Sequence, residues 1–167
     1  MTPAKTVKNL QKGFTLIELL VVIGILAILL AIVLIAINPA RQFQQANDTK
    51  RRSDVNSILN AVNQFMADNK GTLPAGVAAC TTATPCTITN SGAAATVDLC
   101  IPLVTKYIAD LPVDPTTGTR SYNSGDCTQA SATYNTGYKI SASATDNRLT
   151  VTATAQLSEN APITVTR

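Results

Sequence analysis

The chain has 167 residues, 46% of them hydrophobic and 14% charged, with a formal net charge of +3 and no histidine. That length holds one modest domain plus one long element, and the lack of histidine removes the commonest general base and the commonest metal ligand. The basic excess is no nucleic-acid signal, because Lys5, Lys8 and Lys12 supply all of it and the other basic residues are matched by acidic ones.

Residues 1–13 read as a basic topogenic segment, and a cut after Gly13 would leave a nearly neutral product. From Leu19 to Ile37 no side chain is polar, and at ~1.5 Å per residue this run spans about 28 Å, close to the ~30 Å hydrocarbon core. A secretory signal peptide carries a shorter apolar core ending in small residues, whereas this run flows into a polar helical pattern, so residues 14–37 are expected to be a retained transmembrane helix. Three lysines ahead of it, against Arg41 close behind, put the N-terminus in the cytoplasm. Glu18 stands at the head of the run, flanked by Leu16, Ile17, Leu19 and Leu20. An unpaired carboxylate at membrane depth costs at least ~2.5 kcal/mol, which marks Glu18 as a functional candidate in need of a cation. The alternative is an interfacial acid beside a positive helix N-terminus, favoured by about 0.3–1 kcal/mol.

Asn38-Pro39 predicts a kink or local melting just outside the membrane, since proline lacks a backbone donor and restrains its predecessor. Residues 38–70 then read as an amphipathic helix with Val55, Ile58, Leu59, Val62, Phe65 and Met66 on its apolar stripe. Asp48, Lys50, Arg51, Arg52 and Asp54 form a mixed-charge patch, read as a solvated face with contact to a neighbouring subunit as the alternative. Gly71 to Pro74 end the helix. Asn47-Asp48-Thr49 is a formal sequon on that helix, where coincidence is the expectation.

Residues 71–167 read as an extracytoplasmic globular domain. Residues 75–95 are expected to be a connecting loop, Thr96–Ala109 a helix capped by Thr96 or Asp98, and strands are expected near Thr119–Tyr122, Thr133–Tyr134, Tyr138–Ala142, Arg148–Ala155 and Ile163–Thr166. The fold class is therefore α+β: one long N-terminal helix, transmembrane in its first half and amphipathic in its second, packed on a small antiparallel sheet. Cys80, Cys86, Cys100 and Cys127 all follow the apolar run, and an even number in a polar, loop-rich region implies two disulfides in an oxidising compartment. Of the three pairings, Cys80 with Cys86 and Cys100 with Cys127 is favoured. The absence of any CxxC pair argues against a metal site.

The string Lys12-Gly13-Phe14-Thr15-Leu16-Ile17-Glu18-Leu19-Leu20, followed by the apolar run, resembles the N-terminal signature of type IV pilins and of the pseudopilins of type II secretion systems. The resemblance covers residues 1 to about 70. It implies cleavage between Gly13 and Phe14 on the cytoplasmic side by a prepilin peptidase, methylation of the new Phe14 amine, and assembly with related subunits on an inner-membrane platform into an extracytoplasmic filament. It also implies the missing cation, because the family pairs such a glutamate with a neighbouring subunit's N-terminal amine; an intrachain pair remains open, as positions 14 and 18 lie one helical turn apart. Many members carry a proline within about twenty residues of the cleavage site, whereas here the first proline after the leader is Pro39. The Asp114-Pro115, Thr117-Gly118, Tyr122 and later Gly137-Tyr138 arrangement looks like the tail of major pseudopilins. Some of those bind calcium, so Asp110, Asp114, Asp126 and Asp146 are weighed as ligands. Their wide spacing and the lack of a DxDxDG run favour turn-forming or capping roles, and no metal ligand or other cofactor is assigned.

The competing readings are a filament subunit of a type IV pilus, a type II secretion pseudopilin, and a signal-anchored surface module that does not polymerise. An enzyme is disfavoured: no GxSxG, P-loop or HExxH run is present.

Overall fold

The computed structural model describes residues 13–123, 125–128, 133–146, 148–160 and 162–167. Lys5, Lys8 and Lys12 lie outside the described residues. The chain forms two compact units, Met1–Gln42 and Phe43–Arg167.

The first unit holds helix α1, Leu16–Ile37, 22 residues with no buried side chain. Leucine and isoleucine line every face, so a membrane or other helices must cover it. At ~1.5 Å per residue it is about 33 Å long, enough to cross a bilayer. It stops at Asn38, whose backbone is left-handed at φ 46° and ψ 78°. A new helix, α2, begins at Pro39 and runs to Asp68. The long helix, for which the sequence predicts a kink or local melting at Asn38-Pro39, is thus two helices that meet there. Asparagine tolerates the left-handed C-cap that glycine usually supplies, and proline suits the first position of the following helix, where its missing N–H costs nothing. The Asn38 carbonyl starts the new ladder by accepting from the Arg41 and Gln42 amides at 3.1 and 3.4 Å.

Beyond Gln42, α2 belongs to the second unit. Val55, Ile58, Leu59 and Val62 are buried on one stripe and share a core with the strands, while Phe65 and Met66 pack at its margin. The helix ends with the Gly71 amide reaching back to Met66 O at 2.8 Å. The left-handed cap is Lys70, φ 55°, followed by Gly71, φ 84°.

The remaining elements are β1 (Cys86–Thr89), β2 (Thr96–Val97), a one-turn helix α3 (Cys100–Leu103), β3 (Thr119–Arg120), β4 (Tyr134–Ala142), β5 (Leu149–Ala153) and β6 (Ile163–Thr166). They build one sheet in the order β2-β1-β4-β5-β6, with β3 also paired to β4. The β1–β2 pairing is parallel and the others antiparallel, so the sheet is mixed. Strand β5 shows the alternation its sequence suggests: Leu149, Val151 and Ala153 are buried, Thr150 and Thr152 half-buried.

Two expectations for this region change. The stretch 75–95 contains β1, whose one large apolar residue, Ile88, is fully buried between two threonines, with the disulfide-bonded Cys86 at its start. Thr96–Ala109 is helical only over Cys100–Leu103. The Ala95 carbonyl accepts from Thr87 N at 2.9 Å and draws Thr96 and Val97 into the sheet. The Tyr134 hydroxyl accepts from the Leu99 amide at 3.0 Å and donates to Asp98 at 2.7 Å. After Leu103 the backbone turns extended at Val104, which bridges Ile108. Sheet bonds and a buried tyrosine outcompete a helix that Pro102 already weakens.

Candidate processing and assembly site

The head of α1 carries the sequence-predicted site. Thr15 is its N-cap: its hydroxyl oxygen accepts from the Glu18 amide at 3.3 Å, while Glu18 Oε2 accepts from the Thr15 amide at 2.9 Å and from the Thr15 hydroxyl at 2.6 Å. This reciprocal capping box satisfies two amides that a helix start leaves without partners. Thr15-Leu16-Ile17-Glu18 is its sequence form. Glu18 is therefore aimed back toward the chain start, where Phe14 is 89% exposed. The box supplies hydrogen bonds to the carboxylate but no counter-charge.

Gly13 has open space where a side chain would be, with nothing within 4 Å among the described residues, and its φ lies outside the left-handed range. Among the described residues neither packing nor backbone geometry demands glycine at this position.

The cysteines form Cys80–Cys86 and Cys100–Cys127, closing sequence separations of 6 and 27 residues. Cys100–Cys127 ties the start of α3 to the segment between β3 and β4. Cys80–Cys86 joins the residue before the Thr81–Ala142 bridge to the start of β1. The chain-entropy model assigns about 3.5 kcal/mol to the longer loop and about 2 kcal/mol to the shorter. Replacing Cys100 and Cys127 with alanine is expected to lower stability more than replacing Cys80 and Cys86, as read from guanidinium unfolding of each variant.

The mixed-charge patch of α2 is only in part a solvated face: Lys50 and Arg52 are exposed, whereas its other three members are buried. Asp48 and Arg51 are 1% and 2% exposed, and Asp54 is buried as well. Arg51 grips Asp114 with two nitrogens, Nε to Oδ2 at 2.5 Å and Nη2 to Oδ1 at 3.1 Å, and donates to Asp48 at 2.8 Å and to the Thr116 hydroxyl at 2.7 Å. Asp48 also accepts the Gln156 and Leu157 amides, at 2.8 and 3.1 Å. Asp54 takes the Tyr138 hydroxyl at 2.7 Å and the Lys50 ammonium at 2.5 Å. Asp114 caps its own turn through the Thr116 and Thr117 amides, at 2.8 and 2.9 Å. Gly137 in β4 lets that turn lie close, since a Cβ there would stand 2.8 Å from Asp114 Cβ. Burial pushes the Asp114 carboxyl up, but the Arg51 guanidinium and the turn amides outweigh it and hold it well below the usual carboxylate range. Asp114 in turn raises Arg51, and burial with Asp54 alongside raises Tyr138 far above a free phenol.

The other aspartates weighed for calcium stand apart. Asp110 pairs with Arg120, Asp126 accepts the Thr128 amide at 3.1 Å, and Asp146 accepts the Arg148 amide at 3.5 Å. Among the described residues no three ligating side chains gather as a metal would require. Sequence reading missed the burial of Asp48 and Arg51 although a signal existed. Positions 48, 51, 55, 58 and 62 continue one three-to-four-residue period, so the buried stripe starts two turns earlier than its apolar part.

Comparison with known proteins gives one family match, to the prokaryotic N-terminal methylation motif over residues 8–34. No curated protein and no solved structure matches. The matched segment spans Gly13, Phe14, the capping box and most of α1, and it gives the apolar helix its context as the anchor of a membrane-held precursor. The chain therefore carries, ahead of its α+β domain, the prepilin-type signal of type IV pilins and pseudopilins.

Proposed function

We propose that this chain is a structural subunit of a type IV pilus-like filament. Prepilin peptidase cuts between Gly13 and Phe14, the new Phe14 amine is methylated, and α1 carries the mature subunit from the membrane into the filament. The observation that carries this reading is a helix apolar on every face and wholly uncovered, headed by one carboxylate one turn from the cleavage point. Such a helix suits two successive environments, lipid and then a bundle of its own kind. The precursor is single-pass, with Lys5, Lys8 and Lys12 in the cytoplasm and the disulfide-bonded unit outside.

A type II secretion pseudopilin is the second reading, favoured by the Asp114-Pro115 turn closing on Gly137. Both share the same processing. Mass spectrometry of the N-terminal peptide from the cell envelope tests it: the expected species begins at Phe14 with one added methyl on its amine. An intact Met1 leader would leave a membrane-anchored surface module instead. Gly13→Val is expected to abolish cleavage while the precursor folds normally, because no contact among the described residues needs glycine there.

A further inference from the structure

Among its described residues the second unit, Phe43–Arg167, leaves two large apolar side chains exposed, Phe43 at 71% and Ile101 at 69%. Phe43 stands in the second turn of α2. Gln44, not Phe43, continues the line of Asp48 and Arg51 and is half-buried, so the phenylalanine is off the stripe that packs on the sheet. Ile101 rims a cavity of about 430 Å³ whose wall includes Ala75, Gly76, Val97 and Pro102. Gly76 keeps that cavity open: a Cβ there would stand 3.3 Å from Val97 Cγ2. The volume is in the range of sites that take a small apolar group.

The two features lie at opposite ends of α2. The chain leaves the helix at Asp68 and enters the cavity wall at Ala75. Tyr107, just past α3, holds the other wall to the same end, with its ring 5.7 Å from that of Phe65 and its hydroxyl donating to Asp68 at 3.1 Å. From Phe43 to Asp68 the helix runs about 37 Å, so no chain fills its own cavity with its own Phe43. A second copy has the matching knob. A knob and a cavity on different surfaces make a heterologous contact, which leaves one of each free at the ends and repeats as an open assembly. We propose that Phe43 of one subunit seats in the Ile101 cavity of the next copy. This inference rests on the filament reading and names one contact within it.

The test is photo-cross-linking of the full chain carrying Phe43→benzoylphenylalanine, irradiated in the cell envelope and then reduced and digested with trypsin. The expected product is a covalent dimer in which residues 42–50 are joined to residues 71–106, the stretch between Lys70 and Lys106 that holds the whole cavity wall. Ile101→Lys, at an exposed position that leaves the fold intact, is expected to lower the dimer yield at least tenfold. Cross-linking to phospholipid, or to any other peptide, would overturn the contact. Electron microscopy of the native chain from the same envelopes separates the two readings. Filaments without the 71–106 product sink the contact alone; the product without filaments removes the filament and leaves a pairwise contact; neither one sinks both.

Discussion

Asp114→Ala is expected to destabilise the second unit by about 3–5 kcal/mol, the cost of leaving one member of a buried ion pair without its partner. Arg51 would keep Asp48 and Thr116 but lose its two-pronged contact, and the Thr116 and Thr117 amides would lose their acceptor. Since a domain's whole stability is about 5–15 kcal/mol, this is a large fraction of it. The measurement is urea unfolding of the full chain in detergent, followed by tyrosine near-ultraviolet circular dichroism. Combining Arg51→Met with Asp114→Leu should cost clearly less than the two single changes added, because the double variant buries no stranded charge. A loss below about 1 kcal/mol for Asp114→Ala would mean that the contact contributes no more than an exposed pair.

The same pair fixes a pH dependence. The carboxyl of Asp114 titrates lower in the folded chain than in the unfolded one, so its contribution is complete above the ordinary aspartate value of about 3.9 and falls as acid drives the pH below it. Unfolding midpoints should hold steady from neutrality to about pH 5 and drop below about pH 4. The Asp114→Asn variant should show a shallower drop.

Some of this was legible from residue patterns and some was not, for physical reasons. Helix α1 and the stripe Val55, Ile58, Leu59 and Val62 could be read because their periodicity is a direct record of which faces avoid water. At the head of α1, Glu18 stood out as a charge in an apolar run, whereas Thr15 was passed over although Thr15-Leu16-Ile17-Glu18 has the spacing of a capping box. Strands β1 and β2 were not legible, since one isoleucine in β1 and two residues in β2 carry almost no alternation, and the strand that pairs β1 on its other side, β4, lies far along the chain. The partner of Arg51 was equally hidden. Asp114 is 63 residues away and is brought into reach only by the turn that Gly137 admits.

Glu18→Ala is expected to leave a stable, membrane-held and correctly cleaved subunit that forms no filaments. The change removes the capping box, worth about 1 kcal/mol at a helix start, which frays the first turn without dislodging a helix held by some twenty apolar residues. Cleavage is expected to persist because the substitution lies five residues beyond the scissile bond, and no described contact links Glu18 to Gly13. Assembly is different. On the proposed processing Phe14 carries a free amine, and packing α1 among its own kind would bury that charge. Without a carboxylate to meet it, the penalty is again about 3–5 kcal/mol per subunit, a factor of more than a hundred in each addition step. The residue count places Glu18 within reach of the amine of its own chain, one turn away, as well as that of a neighbour. Co-expression separates the two: mixed with native subunits, a Glu18→Ala chain enters filaments if a neighbour's carboxylate can serve its amine, and stays out if only its own can. Filaments of normal abundance from Glu18→Ala alone would remove the carboxylate from assembly and leave it as a helix cap.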